Sequence, residues 1–471
     1  MPINTPHPEY EANASKWQEC RDCIEGEDAI KARGETYLPK LEKQGNREYL
    51  AYKKRASFFG ATRRTLEGIS GAILRREPRI VLPSRVEELA KQIGRRGSAL
   101  REVIRFAIEE AVAVGRLGIL ADAPDGGQRP FLSTYRAESI VSWEEQEIDG
   151  RQEASRIVLR ERYLRRDSED PYKFKESERY RELFLDGVGG EPVYRVRTHV
   201  PKDEDSKSVD REFEPDEEKT PTAAGGKTFN RIPFEVIGAK GTDLAVAAPP
   251  LLEVVKVNLA HYRGSADLEH GRHWTAIPTP YVANGDPKTD QMEIGPSGVW
   301  VIPGENVTVG MLEFEGAGLG HLAEGQRDKE RQMAILGARL LEGERAGVEA
   351  AETVRLRQSG EQSVLSKLAQ STSDGLTKAM QWIAYFVNPA AKDVVEIEVS
   401  NDFDPSGISS EMLIALTSAA QAGLISWQTF FEACRRGELY PDGVDAETEA
   451  AQIAAGLPGG GSGLPSVARQ D

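Results

Sequence analysis

Cysteine and histidine are the residues of this sequence whose types and spacing could support metal chemistry. Cys20-Arg-Asp-Cys23 has the two-residue gap of half a zinc site, but a structural zinc site needs four ligands and no second pair exists. His270 and His273 share a helix face at one turn's spacing, yet no fixed carboxylate or cysteine completes that set. We therefore expect no bound metal and interpret these residues as ordinary helix positions.

Glycine spacing gives no better case for a nucleotide cofactor. Gly316-Ala-Gly318-Leu-Gly320 follows a predicted strand and opens a predicted helix, as a dinucleotide-binding loop would. The third glycine of G-x-G-x-x-G would fall at His321, however, and no βαβ unit surrounds the loop. No G-x-x-x-x-G-K-[ST] loop occurs, and acidic residues are too frequent for one acid–base pair to stand out. We predict a chain that is not an enzyme and binds no cofactor.

The composition predicts a protein of a reducing compartment. With 471 residues, 39% hydrophobic and 29% charged, the chain is long enough for more than one lobe. Three cysteines give no disulfide framework, and the start Met1-Pro-Ile-Asn-Thr-Pro lacks the features of a secretory signal. No run of about eighteen apolar residues occurs. We expect a cytosolic life in the producing cell and no membrane partner.

The net charge of −16 argues against a protein that embraces nucleic acid through a basic face. DNA remains possible as a cargo, because a channel in which DNA slides is better lined with like charge than with salt bridges to phosphates. One basic run lies on and after a predicted helix: Lys53, Lys54, Arg55, Arg63, Arg64, Arg75, Arg76 and Arg79. We interpret it as a solvated or acid-paired face, with phosphate contact as the alternative.

Two long helical segments that enclose a compact β-like insert organise the chain. Pro249 and Pro250 open the first, Leu251–Trp274, and the second is Gly318–Leu341. At about 1.5 Å per residue each would span roughly 36 Å, so we predict an antiparallel hairpin of matched arms. The apolar face of the first arm is Leu251, Val254, Val255, Leu259, Tyr262, Ala266 and Leu268. The extended runs of the insert are Tyr281–Val282, Val299–Ile302 and Met311–Phe314.

An acidic stretch follows the second arm. Glu342-Gly-Glu-Arg-Ala-Gly-Val-Glu-Ala-Ala-Glu352 has two glycines and four glutamates against one arginine, which is typical of a mobile acidic loop. Behind it, the apolar residues of Thr353–Val387 step by three and four, apart from one doubled step across Thr372, and predict a third long helix. A strand at Val394–Val399 and a turn at Asp402–Gly407 come next.

The N-terminal part combines helices with a β-rich region, so the predicted fold class is α+β. Helices are predicted at Tyr10–Ile24, at Glu48–Leu74 and from Ser98, as N-cap, to Gly115. The predicted strands are Leu117–Ala121, Ser139–Trp143, Ser155–Arg160, Tyr180–Leu185, Val193–His199 and Ile232–Ile237. Pro201–Thr222 interrupts the strands and is rich in Lys, Asp, Glu and Pro. We interpret it as an exposed insertion with the composition of a disordered segment.

Two short helices near the C-terminus raise alternative functions. Ser410–Gln421 and Trp427–Arg436 are joined by Gly423-Leu-Ile-Ser426, with Ser426 as N-cap of the second. This spacing resembles a helix-turn-helix, which would make the chain a DNA-binding regulator. The second helix is apolar where a reading helix is polar, which favours a packed helical pair. A metal- or nucleotide-dependent enzyme is the remaining alternative.

Several short strings follow one another in a distinctive order. They are Asn4-Thr-Pro-His-Pro-Glu-Tyr10, Trp17-Gln-Glu-Cys-Arg-Asp-Cys-Ile-Glu-Gly-Glu-Asp28, Tyr37-Leu-Pro39, Pro249-Pro-Leu-Leu252, Asn258-Leu-Ala-His-Tyr262, Ser265-Ala-Asp-Leu-Glu-His270 and Pro278-Thr-Pro280. In combination they resemble a subfamily of tailed-bacteriophage portal proteins. The resemblance covers nearly the whole chain up to about Asp442, and none of the strings is a catalytic motif.

The resemblance implies a portal-protein fold, with parts assigned by their order in the chain. Residues 1–248 would form the wing, 249–274 and 318–341 the two stem helices, and 275–317 a small β clip. The remaining parts would be a tunnel loop at 342–352, a long wing helix and strand at 353–408, a short helical crown at 409–440 and a flexible tail at 441–471.

The resemblance also implies a function. Portal proteins form a dodecameric ring at one capsid vertex, through which the terminase packages DNA and DNA is later ejected. Implied partners are the terminase large subunit, major capsid and scaffold proteins, head-completion and tail adaptor proteins, and double-stranded DNA bound without sequence preference. The implied location is the virion, with assembly in the host cytoplasm. The residues beside the DNA would be Glu342, Glu344, Arg345, Glu349 and Glu352.

Overall fold

The structure is a computed structural model, and it divides the chain into two units, Met1–Asp402 and Phe403–Asp471. It describes residues 2–124, 129–148, 150–167, 170, 172–187, 191–203, 211–276, 279–283, 300–302, 306, 308–312, 316, 318–341, 364–390, 394–401 and 410–436. Helices and sheets both contribute, so the predicted α+β class is confirmed. No helix in these ranges combines the length and apolar content that a membrane span requires.

Helices and one short strand begin the first unit. They are α1 (Pro8–Glu25), α2 (Glu27–Ala32), α3 (Asn46–Arg55), α4 (Ala61–Ile73), β1 (Arg79–Val81), α5 (Ser84–Ala90) and α6 (Leu100–Ala113). The single helix predicted over 48–74 is wrong, because the chain leaves the helix between Ala56 and Gly60. Ser98 is not the N-cap of α6 either. Ala99 occupies that position, and its N–H donates to Oε2 of Glu102 at 3.3 Å.

Two antiparallel sheets follow. Their strands are β2 (Arg116–Asp122), β3 (Phe131–Arg136), β4 (Ile140–Ile148), β5 (Arg151–Arg166), β6 (Phe174–Asp186), β7 (Val193–Pro201), β8 (Phe213–Lys219) and β9 (Phe234–Gly238). One sheet has the order β3-β2-β9 and the other runs from β4 to β8 in chain order. Every strand predicted for this region overlaps one of them.

A shielded ionic cluster joins the two sheets. Arg181 of β6 donates to Asp122 of β2 at 2.8 Å and lies 3.6 Å from Glu161 of β5. Glu161 also accepts from the Tyr135 hydroxyl of β3 at 2.7 Å. Burial alone would raise the pKa of Glu161, but the charge of Arg181 and the hydrogen bonds from Tyr135 and Arg179 hold that pKa below its usual value. The cluster thus fixes the two sheets relative to each other.

The acidic insertion contains regular structure. Phe213–Lys219 forms the edge strand β8, which pairs with β7 from Pro201↔Phe213 to Val196↔Lys219 with one bulge. All its residues after Phe213 are exposed, which confirms the predicted exposure there. The expectation of disorder from composition is wrong for Phe213–Lys219, because these residues form a strand. An edge strand satisfies backbone groups and needs few apolar side chains, so composition alone does not reveal it. Residues 204–210 lie outside the described ranges.

The hairpin and its surroundings complete the first unit. Their elements are α7 (Leu252–Thr275), β10 (Thr279–Ala283), β11 (Trp300–Ile302), β12 (Thr308–Leu312), α8 (Leu319–Leu341), α9 (Val364–Val387) and β13 (Glu396–Glu398). β10 pairs with β12 antiparallel and with β11 parallel, which makes a small sheet between the arms. β13 pairs antiparallel with the distant β1. Both predicted arms and the predicted insert strands are confirmed, with small shifts in their bounds.

The second unit is described through α10 (Ser410–Gln421) and α11 (Trp427–Arg436). Both helices have the predicted bounds. Ser426 caps α11 as predicted, because its Oγ accepts from the N–H of Thr429 at 3.0 Å. Gly423 in the link has φ of 71°, a left-handed conformation that suits glycine after a helix. The predicted turn at 402–407 and the predicted tail lie outside the described ranges.

Candidate functional site

α7 and α8 pack side by side. At one end, a Cβ on Gly271 of α7 would lie 2.5 Å from Cδ2 of Leu319, near the start of α8. At the other end, Val254 near the start of α7 shares an apolar cluster with Met333 of α8. Residue numbers therefore increase along α7 in the direction in which they decrease along α8. This confirms the predicted antiparallel pairing.

α7 is buried along much of its length, whereas α8 is more exposed. Every apolar residue predicted for the α7 face is buried: Leu251, Val254, Val255, Leu259, Tyr262, Ala266 and Leu268. On α8, Leu322 and Ile335 remain 39% and 54% exposed although both are apolar. The first arm is therefore buried within the first unit, and the second arm packs against it with apolar side chains left exposed.

His261 lies at a polar point of contact between the arms. Its carbonyl oxygen accepts from Nε2 of Gln326 at 2.9 Å, and its ring Nε2 lies 3.3 Å from Oε1 of Glu330. Burial lowers the pKa of His261, and Glu330 opposes that shift only in part. A neutral ring that carries its proton on Nε2 can donate to the carboxylate of Glu330. These contacts fix how far one arm can slide along the other.

Polar side chains of α7 also bind the segment between α3 and α4 and the first turn of α4. Oδ1 of Asn258 accepts from the N–H and the hydroxyl of Thr62 at 3.3 and 2.8 Å, while its Nδ2 donates to the carbonyl of Phe59 at 2.8 Å. The hydroxyl of Ser265 accepts from the N–H of Ser57 at 3.2 Å and donates to the carbonyl of Ser57 at 2.7 Å. Backbone groups that would otherwise pair within a helix find partners here, which explains the break between α3 and α4.

The N-terminal helices and the hairpin therefore form one joint. Ala61 at the start of α4 packs in the cluster of Val254 and Met333, so it contacts both arms. The hydroxyl of Tyr52 on α3 donates to Oδ1 of Asp267 at 2.5 Å. The apolar spacing of the first arm did not predict this joint. Its signal was present as polar residues that interrupt the apolar face of the first arm: Asn258, His261 and Ser265.

The residues that suggested metal chemistry serve packing and hydrogen bonding. Cys20 and Cys23 are buried on α1 as free thiols. Burial raises the pKa of Cys20 to about 12 and raises that of Cys23 as well. Nε2 of His270 accepts from the indole N–H of Trp274 at 2.9 Å, and His273 packs edge-on against the same ring. In the ranges described above, no three His, Cys, Asp or Glu side chains are grouped as metal ligands would be.

The basic run predicted as a solvated or acid-paired face is used in part within the chain. Arg63 donates through Nε and Nη2 to the carbonyl oxygens of Ile24 and Glu25 at 2.6 and 2.7 Å. It thereby caps the last turn of α1. Arg79 on β1 lies 3.7 Å from Glu396 on the paired strand β13. These two arginines stabilise contacts between elements.

The residues predicted beside the DNA lie outside the described ranges. They are Glu342, Glu344, Arg345, Glu349 and Glu352. The described chain stops at the end of α8, at Leu341, and resumes with α9 at Val364. The start of the predicted third helix, residues 353–363, falls in the same gap. The acidic loop therefore remains a prediction, bounded by two helices of the first unit.

The stretch from the base of α7 to the end of α9 matches a known family model. That family is described as a domain of unknown function, DUF4055, and the match covers residues 250–387. These residues include both arms of the hairpin, the small sheet, the acidic loop and α9. The hairpin and the helix behind it thus belong to one recurring sequence unit.

Solved structures with a similar chain come from gene transfer agent particles. A chain in the virion of the native particle aligns with a TM-score of 0.37 and 13% identity, over 84% of this chain and 95% of its own. A neck chain of the empty particle, computed with C6 symmetry, gives 0.38 and 13% over 83% and 94%. A neck chain of the native particle, computed with C12 symmetry, gives 0.38 and 14% over 82% and 93%. No curated protein matches the chain.

Proposed function

We propose that this chain is the subunit of a portal ring in a tailed-phage particle. The ring would form the channel through which a terminase packages double-stranded DNA and through which the DNA is later ejected. It would also carry the head-completion and tail proteins. Its place would be the unique vertex of the virion, after assembly in the host cytoplasm together with major capsid and scaffold proteins.

The observation that supports this proposal most is the hairpin with its small sheet. α7 and α8 have 24 and 23 residues, so each is a rod of about 35 Å. Rods of matched length, joined at one end by a three-stranded sheet and fixed at the other to the N-terminal helices, can line a channel when copies surround an axis. Such a wall needs stiffness and no catalytic group.

The other parts receive roles by their position. We assign the N-terminal helices and the two sheets, residues 1–248, to the wing, and the sheet of β10 to β12 to the clip that faces the terminase and the adaptor proteins. We also assign α9 and β13 to the wing. α9 packs against the sheet of β3, β2 and β9, and β13 pairs with β1, which supports this assignment. We assign α10 and α11 to the crown. The chain would act as a structural protein without turnover of its own.

Assembly of the purified full-length chain tests the proposal. We expect a closed ring of about twelve copies with an axial opening. A head-to-tail contact between two different surfaces of the chain gives such a ring when the rotation from copy to copy closes. Native mass spectrometry measures the number of copies, and electron microscopy of single particles shows the opening. A monomer or dimer that binds a specific duplex or shows turnover would overturn the portal role.

The acidic loop gives a second prediction within this proposal. Glu344→Lys together with Glu349→Lys should leave ring assembly unchanged and lower DNA packaging or retention, because cations beside the duplex would bind its phosphates and oppose sliding. Packaged DNA is measured in an in vitro packaging assay as the fraction resistant to nuclease.

The matched control places the same charge change on a different surface. Glu87 and Glu88 are exposed on the short helix α5, so Glu87→Lys with Glu88→Lys should package as the unchanged chain does. Equal packaging by the loop variant and this control would contradict the assignment of the loop to the DNA channel. Loss of the ring in the loop variant would point to a subunit contact instead.

A further inference from the structure

One edge of the strand β5 is open over its second half. β4 pairs with β5 only as far as Ile140↔Leu159, whereas β6 pairs with the other edge of β5 as far as Arg166↔Phe174. In the part of the chain that the structure describes, no strand pairs with the β4 side of residues 161–166. We call this side the open edge. The backbone N–H and C=O groups of an unpaired edge can bind a further strand.

The open edge borders a cleft of about 780 Å³. Residues 94–98, the N-terminal half of α6, the strand β3 and residues 160–163 of β5 contribute to its walls. Ligand sites commonly have volumes of about 300 to 1,000 Å³. The cleft therefore has the volume of a ligand site and lies directly beside an unpaired strand edge.

The cleft is cationic although the whole chain has a net charge of −16. Two glutamates, Glu102 and Glu161, line it together with five arginines: Arg95, Arg96, Arg160, Arg162 and Arg179. Glu178 lies opposite Arg162 on the neighbouring strand β6, so it also belongs to the charge balance. With Glu178 included, the arginines still outnumber the carboxylates by five to three. The cleft thus favours an anionic ligand.

The two carboxylates that line the cleft are bound within the chain. Oε2 of Glu102 accepts from the N–H of Ala99 at the start of α6, at 3.3 Å. Oε2 of Glu161 accepts from Nε of Arg179 at 2.8 Å, and its Oε1 lies 3.5 Å from Nη1 of Arg95. The charges of Arg179 and Arg95 are therefore partly compensated.

Two other arginines of the cleft keep their charge available. Within the described residues, no carboxylate lies within ion-pairing distance of Arg96 or Arg160. Arg96 is exposed in the turn before α6. Arg160 is half-buried at the start of the open edge, and its Nη2 donates to two neutral oxygens, the Tyr10 hydroxyl at 3.2 Å and the Glu138 carbonyl at 2.8 Å. Two walls of the cleft thus attract an anion.

We propose that the cleft binds an extended acidic segment of a partner protein. The segment pairs with the open edge of β5 as an added strand, and its carboxylates face Arg96 and Arg160. Backbone pairing supplies affinity in this mode of recognition, while the charges of the side chains select the segment. All residues of the site belong to the first unit of one chain, so binding does not require a ring.

A labelled octapeptide of alternating valine and glutamate tests the charge of the ligand. Fluorescence anisotropy with the full-length chain should show saturable binding with a Kd below about 1 mM. The same peptide with lysine in place of glutamate should bind about tenfold more weakly or worse, because cations then face the arginines. Hydrogen exchange at residues 161–166 should become slower when the acidic peptide is bound.

Backbone methylation of the peptide tests strand addition. A strand bonds to its neighbour through the N–H groups of alternate residues, so N-methylation of all valines or of all glutamates removes the donors of one side at a time. One of these two peptides should bind about tenfold more weakly than the other, because only one side faces β5. Two methylated peptides that bind as well as the parent would overturn the added strand.

Substitution of the turn arginines locates the site. Arg95→Gln with Arg96→Gln should weaken binding of the acidic octapeptide by about tenfold. Arg85→Gln with Lys91→Gln, on exposed residues of α5, removes the same charge elsewhere and should bind as the unchanged chain does.

Three results would overturn the proposal and leave the portal ring untouched. The first is the absence of peptide binding below about 1 mM. The second is equal binding by the turn variant and its α5 control. The third is a short DNA duplex that binds more tightly than the peptide and loses affinity in the turn variant, because the cleft would then be a phosphate site.

Discussion

Asn258→Leu is expected to lower the free energy of unfolding by about 3 to 5 kcal/mol, although leucine fits the size of the site. Asn258 is fully buried and makes hydrogen bonds to the backbone or hydroxyl of Phe59 and Thr62. A leucine would leave the backbone N–H and the hydroxyl of Thr62 without their partner in a buried site, and it would remove one of the two hydrogen bonds that the Phe59 carbonyl accepts. Urea denaturation of the full chain measures the change.

The region that opens first distinguishes loss of the Asn258 hydrogen bonds from destabilisation of the whole fold. Hydrogen exchange should become faster first at residues 57–62, since Asn258 holds that segment, and later in the two sheets. Arg263→Ala is the matched control, because Arg263 is exposed on the same helix and its loss should change stability by less than about 0.5 kcal/mol. Unchanged exchange at residues 57–62 in Asn258→Leu would contradict the role of the joint.

Arg21→Met is expected to cost about 3 to 5 kcal/mol for a different reason, the loss of charge compensation in a buried site. Arg21 of α1 donates two hydrogen bonds to the carboxylate of Glu110, at 2.8 and 2.5 Å, and two to that of Glu138, at 2.8 and 3.2 Å. The Glu110 side chain is only 5% exposed. Methionine would fill the space and leave two shielded carboxylates with far less compensation.

The pH dependence of this loss follows from Glu138. Burial alone would raise the pKa of Glu138, but the hydrogen bonds and charge of Arg21 outweigh it and hold the pKa below 4.5. A lowered pKa in the folded state stabilises the protein above the unfolded pKa, and this contribution is lost as pH falls through the folded value. The difference between the unchanged chain and Arg21→Met should therefore be largest near pH 7 and shrink below about pH 4.5.

An exposed ion pair provides the control for Arg21→Met. Lys91 lies 2.8 Å from Glu88 on the surface of α5, with both side chains mostly in solvent. Lys91→Met should leave the denaturation midpoint unchanged at every pH. An Arg21→Met variant whose deficit stays constant between pH 4 and pH 7 would show that the residue stabilises through packing rather than charge.

The first arm of the hairpin was predictable because its information is local. Apolar residues at steps of three and four predicted a helix from Leu251 to Trp274, and α7 spans Leu252–Thr275. Ser426 as a helix cap was predictable for the same reason, since its partner Thr429 is three residues away. Elements whose stabilising contacts lie within one or two turns leave a visible pattern in the sequence.

The break between α3 and α4 could not be predicted in this way. The side chains that bind the segment, Asn258 and Ser265, are 196 to 208 residues away along the chain. Local apolar spacing runs into the break, because Tyr52, Ala56 and Phe59 step by four and three as they would on one helix face. The same limit applies to β1, a three-residue strand whose partner is β13 at Glu396–Glu398. The acidic loop at 342–352 is still known only from its sequence.

The buried cysteines provide a chemical probe of local opening. Cys20 and Cys23 lie in α1 of the first unit and Cys434 lies in α11 of the second, and burial raises the pKa of all three thiols. A thiol alkylates only as an accessible thiolate, so each must become exposed before it reacts. Peptide mapping after timed alkylation separates Cys434 from the N-terminal pair. The chain therefore reports separately how often each unit opens, without any introduced cysteine.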